Sequence, residues 1–127
     1  MKIIIMSVPV DDQAKALAFY TEVLGFVVKH DVPLGDHRWL TVVSPEGAVG
    51  MELLLEPMGF APARVYQRQL FDAGVPWTMF GVDDIHAEYD RMVKLGVVFR
   101  SKPTPMGPVV VATFEDTCGN LIQMVQS

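Results

Sequence analysis

Apolar and polar positions along this chain fall into blocks, and the blocks come in the same order twice. Residues 2–10 are a run rich in Ile, Met and Val that reads as a buried strand. Asp11 or Asp12 then offers an N-cap. Ala14–Leu24 carries a helical stripe of Leu17, Tyr20 and Leu24, with Ala16 and Val23 beside it, stopped by Gly25. Phe26–His30 predicts a strand and D-V-P-L-G-D (Asp31–Asp36) a loop. Arg38–Val43 predicts a strand, S-P-E-G at 44–47 a turn, and Gly50–Glu56 a third strand. After a break at Pro57–Pro62, Ala63–Ala73 suits a helix, ended by Gly74 and Pro76. The order then returns. Trp77–Val82 is a strand, and Ile85–Leu95 a helix with Ile85, Tyr89, Met92 and Leu95 inward. Val97–Ser101 is a strand, Pro103–Pro108 a proline-rich loop and Val109–Phe114 a strand. Asp116–Asn120 is a turn and Leu121–Gln126 the last strand.

The recurrence can be counted. V-P-V-D-D (Val8–Asp12) returns as F-G-V-D-D (Phe80–Asp84), and each helical pattern stops at Leu-Gly, Leu24-Gly25 and Leu95-Gly96. Gly25 lies 27 residues before Glu52, and Gly96 lies 27 residues before Gln123. The duplication predicts an α+β fold of two tandem β-α-β-β-β modules. Module one is 1–57, a linker helix occupies 58–75, and module two is 76–127. The same count pairs Ile5 with Trp77, each five residues before the Val of V-D, and Glu52 with Gln123.

Composition narrows the class. At 127 residues the chain is one compact domain, or two half-domains that cannot stand alone. Half the residues are hydrophobic and 20% are charged, enough for a core and unlike a disordered segment. A net charge of −5 without a basic cluster argues against nucleic acid and against an anionic membrane surface. No apolar run approaches the length of a bilayer span, and the opening M-K-I-I-I-M-S-V is too short for the apolar region of a signal peptide. The single Cys118 permits no internal disulfide, which suits a reducing cytoplasm. It has no His or Cys beside it in sequence and is not expected to be a nucleophile. Neither a Gly-rich phosphate loop nor a serine-nucleophile motif is present.

Three motifs in order, A-x-x-F-Y-T-E-V-L-G-F (Ala16–Phe26), F-G-V-D-D-I (Phe80–Ile85) and D-T-C-G-N-L-I-Q (Asp116–Gln123), resemble the vicinal oxygen chelate superfamily. That group includes glyoxalase I, bleomycin-resistance proteins, fosfomycin-resistance enzymes and extradiol dioxygenases. The resemblance covers essentially the whole chain. It implies two modules whose sheets curve around a cleft, with a homodimer often completing it. It also implies that metal-dependent members place four ligands in the cleft, two per module, on the first and last strands. Those positions here are Ile5, Glu52, Trp77 and Gln123. A divalent ion needs three or more His or carboxylate ligands. Ile5 cannot ligate, the indole of Trp77 only donates, and Gln123 is a poor neutral ligand. No cofactor and no metal are therefore expected.

What remains is a candidate ligand site. Glu52 is either a carboxylate satisfied by Gln123 or a backbone donor, or a pocket acid or base whose pKa an apolar surround would raise. Trp77 either lines the cleft or packs in the core. His37-Arg38-Trp39 sets a titratable ring, a cation and an aromatic beside a predicted loop, and Arg38 would meet an anionic group. Arg64 and Tyr66 on the linker helix would close the cleft or meet a second subunit. His30 and His86 read as surface histidines. Three functions stay open: a small-molecule binder using Ile5, Glu52, Trp77, Gln123, Arg38 and Trp39; a glyoxalase-like lyase or isomerase with Glu52 as base; and a non-catalytic structural or regulatory module.

Overall fold

A computed structural model describes all 127 residues. The first module opens with β1 (Ile5–Val10), whose last residues are buried. Asp12 caps the helix that follows: its side chain accepts from the Lys15 amide, satisfying one of the donors that a helix start leaves unpaired. Helix α1 runs Gln13–Ala18 and continues as a wider, π-type turn through Phe19–Val23. The cause is local. The Thr21 hydroxyl donates to the Leu17 carbonyl at 2.7 Å, and the Leu24 amide reaches back five residues to the Phe19 carbonyl. The widening sets both Phe19 and Tyr20 into the core beside Ala16, one aromatic more than the predicted stripe.

Strands β2 (Val27–Leu34), β3 (His37–Val43) and β4 (Glu52–Pro57) complete the module. The sheet order is β1-β4-β3-β2, with β1 parallel to β4 and the other pairs antiparallel. Strand β2 overturns the predicted loop at 31–36. It continues through Pro33 to Leu34, leaving only Gly35 and Asp36 as the hairpin tip. Proline has no N–H to give a second neighbour, and β2 is an edge strand that has none. The helix is fastened to the sheet by Gln13. Its amide donates to the Arg38 and Leu55 carbonyls and accepts from the Arg38 N–H, joining α1 to β3 and β4.

The second module repeats this plan. Helix α2 (Ala61–Ala73) leads into β5 (Thr78–Gly81), α3 (Ile85–Lys94), β6 (Phe99–Met106), β7 (Val109–Glu115) and β8 (Leu121–Gln126). Its sheet order is β5-β8-β7-β6. Asp84 caps α3 through the Ala87 amide, as Asp12 caps α1. The proline-rich stretch Pro103–Pro108, also expected as a loop, is again mostly edge strand, with Gly107 and Pro108 at its tip. Ile85 and Met92 are buried as expected, and Tyr89 packs its ring 4.6 Å from that of Phe99. Leu95 is not inward: it follows the last helical residue and is 55% exposed. The chain divides into two compact units at Arg64/Val65, inside α2. No helix is long and apolar enough to cross a membrane.

Candidate functional site

In module one, alternation along the strands sorts the candidates by face. Leu40 and Val42 of β3 are buried on the side that takes α1, while Trp39, Thr41 and Val43 point the other way. On that helix-free face the Thr41 hydroxyl donates to Glu52 Oε1 at 2.7 Å. His30 of β2 lies directly across from Thr41 in register, with Nε2 3.7 Å from the same oxygen. Ile5 on β1 stands abreast of Glu52 on β4. The Glu52 side chain is 21% exposed, so it is sheltered but reachable. Its surround is therefore mixed, with a hydroxyl and an imidazole against it, and not the apolar one expected. Both polar partners come from its own module.

His30 and Thr41 are the residues that sequence reasoning passed over. His30 was expected to be an ordinary surface histidine. The signal that would have found it was the continuation of β2 through Pro33, which fixes its register against β3. Thr41 was visible as a polar residue inside the buried run L-T-V-V, and the structure shows it fully buried.

Arg38 and Trp39, expected to act together, lie on opposite faces because neighbouring strand residues alternate. Arg38 donates from Nε and Nη2 to the two carboxylate oxygens of Asp31 at 2.9 and 2.7 Å. That fork holds the Asp31 carboxyl below its usual range and raises the Arg38 guanidinium further. The cation assigned to an anionic ligand is thus engaged on the other side of the sheet. Trp39 remains on the face of Glu52, 37% exposed and across from Val32.

In module two the register corrects the count. The Trp77 N–H donates to the Leu121 carbonyl, and Met79, not Trp77, is abreast of Gln123. Thr41 opposes Leu54 in module one, while Thr113 opposes Gln123 in module two. Gln123 therefore occupies the place of Leu54, and Leu121 that of Glu52. The connection between β3 and β4 spans residues 44–51 and that between β7 and β8 only 116–120, three residues fewer, while Thr113 lies one residue further from Gly96 than Thr41 does from Gly25, so the register moves by two. The shift is even, so Gln123 keeps its predicted face. Trp77 packs edge-on against Tyr66 of α2, with ring centroids 5.5 Å apart.

The motif D-T-C-G-N is held as a buried lock. Asp116 Oδ1 accepts from the Cys118 and Asn120 amides, and Oδ2 accepts from Asn120 Nδ2. Gln67 of α2 closes over it, donating to the Cys118 carbonyl and to Asn120 Oδ1. Gln67 carried no sequence signal, because a single glutamine on a helix reads as solvated.

The donor chemistry does not suit a resident divalent ion. Ile5, Trp77 and Leu121 offer no ligand atom, Gln123 a neutral amide oxygen, and Glu52 one carboxylate with a single histidine near it. No group of three or more His, Cys, Asp or Glu side chains is placed to hold a metal.

Comparisons with known proteins agree with this architecture. YurT, an uncharacterized protein of Bacillus subtilis (strain 168), is 56% identical over 126 residues, covering 99% of both chains. The solved structure of UcmS2 is 30% identical with a TM-score of 0.85, covering 100% of this chain and 98% of that one. TnmS3, an antibiotic binding protein from Streptomyces sp. CB03234, is 29% identical with a TM-score of 0.74, covering 99% and 95%. A family model, Glyoxalase/Bleomycin resistance protein/Dioxygenase superfamily, matches residues 2–124. Since that match takes in both repeats, the chain belongs to the glyoxalase/bleomycin resistance protein/dioxygenase superfamily.

Proposed function

We propose that this protein binds a small organic molecule on the helix-free sheet face of module one, without a resident metal. The observation that carries this reading is the face of module one. It combines a partly exposed indole, Trp39, with one organised polar notch, Glu52 held by Thr41 beside His30. Apolar surface with few, fixed polar groups is the usual make-up of a small-molecule site. The likeness to an antibiotic binding protein supports the same reading. Trp77 and Gln123 are proposed as ligand contacts within module two itself. The chain has two tryptophans, one in each module, so its own emission is the probe. A panel of aromatic and amphipathic compounds is expected to include ligands that change the emission, with Trp39→Phe and Trp77→Phe separating the modules. A panel that leaves both emissions unchanged would overturn the proposal.

A second reading, a glyoxalase-like lyase or isomerase, is favoured by one feature. Thr41 occupies Glu52 Oε1, which leaves Oε2 to take a substrate proton. Glu52→Gln should then abolish turnover while a ligand still binds. We also propose a homodimer, supported by Ile4 and Met6, exposed apolar side chains at the outer edge of sheet one. Light scattering during gel filtration reads the mass, and a monomer at micromolar concentration would remove that proposal.

A further inference from the structure

We infer that the molecule taken by module one is a planar cation, a fused aromatic ring with a protonated nitrogen. This rests on the binding reading above and names its ligand class. Glu52 is largely sheltered, which weakens solvent screening of its charge. Thr41 fixes Oε1, while His30 sits near that same oxygen at 3.7 Å, beyond hydrogen-bond range. Oε2 is left to accept from a ligand donor. Alternation along β4 puts Glu56, an exposed second carboxylate, on the same side. Strands β1, β3 and β4 place no lysine or arginine on this face. Arg38, their one cation, lies on the reverse side in its fork with Asp31. An anionic ligand would meet two carboxylates against only the imidazoles of His30 and His37 and the bulged Lys29 of β2, whereas a cation would pair with Glu52. Trp39 supplies the flat surface and a cation–π contact.

The test compares three ligands of one shape by isothermal titration calorimetry at pH 7.5: 9-aminoacridine (cationic), acridine (neutral) and acridine-9-carboxylate (anionic). The expected order is cation, neutral, anion, with about tenfold between the extremes. Glu52→Gln keeps an oxygen for the Thr41 hydroxyl and removes the charge, so it should bring that ratio to within about twofold. Glu56→Gln should lower it less. A melting curve of each variant confirms that it is folded, and Glu56→Gln alone carries the test should Glu52→Gln not fold. Equal or tighter binding of the carboxylate would overturn the inference while leaving the binding function intact. So would a ratio unchanged in both variants. Failure of all three acridines to bind also overturns it, and the tryptophan screen decides separately whether the protein is a binder.

Discussion

The two modules share one plan and have divided the work differently. Module one gathers its polar groups on a sheet face where the partly exposed Glu52 and His30 meet the buried Thr41. Module two sinks them into a turn, where Asp116, Asn120 and Gln67 satisfy one another out of water. The β3–β4 connection, residues 44–51, is mostly exposed, while its counterpart at 116–120 is mostly buried. A buried, fully paired network rigidifies its surroundings, and a half-exposed one can still exchange its partner for a ligand. The repeat thus holds a structural lock in one copy and a candidate binding face in the other.

That contrast can be broken, from the largest effect to the smallest. Gly119 has φ +98°, and an added Cβ would stand 2.7 Å from Gln67 Oε1. Gly119→Ala should cost about 3 kcal/mol, from backbone strain and displacement of the lock, and is measured by urea denaturation. Gly50 has a similar φ of +87° but nothing within 4 Å of an added Cβ, so Gly50→Ala should cost clearly less. Equal losses would show that the lock contributes nothing beyond backbone strain. Gln67→Ala leaves the Cys118 carbonyl and Asn120 Oδ1 without this donor and should cost about 2 kcal/mol in the same measurement.

The module-one face should respond more mildly. Thr41→Val removes the hydroxyl hydrogen bond to a carboxylate that water still reaches, and about 1 kcal/mol is expected. A loss as large as that of Gln67→Ala would mean that the face is as structural as the lock. The smallest effect concerns Asp31, on the reverse side. The hydrogen bonds from Arg38 lower its pKa in the folded state relative to the unfolded chain. The stability it adds is therefore present above the ordinary carboxylate pKa and lost as pH falls through the depressed folded value. Arg38, its own pKa raised, stays charged throughout. Asp31→Asn should be slightly less stable than the parent at neutral pH, and the gap in melting temperature should close in acid. A gap that persists there would assign the effect to packing.

The first helix cap was legible, as Asp11 or Asp12, because a cap depends on neighbours in sequence; the structure assigns it to Asp12, and Asp84 caps α3 in the same way. The last strand, Leu121–Gln126, was read to the residue because its run is bounded by D-T-C-G-N. Pro33 and Pro103 misled, since a proline that breaks an inner strand is harmless on an edge, and edge position is a property of the assembled sheet. The exposed Leu95 misled for the opposite reason, because its helical spacing outlasted the helix.

The sequence by itself determined the duplicated β-α-β-β-β order and the cap region of the first helix, because these follow from local chemistry and counting. Only the tertiary structure decided what stands beside what. It set Gln123 beside Met79. It turned Arg38 away from Trp39 and brought His30 and Thr41 to Glu52. Strand register and face are set by pairing between segments far apart in the chain, and a change in one connecting loop re-aims every contact beyond it.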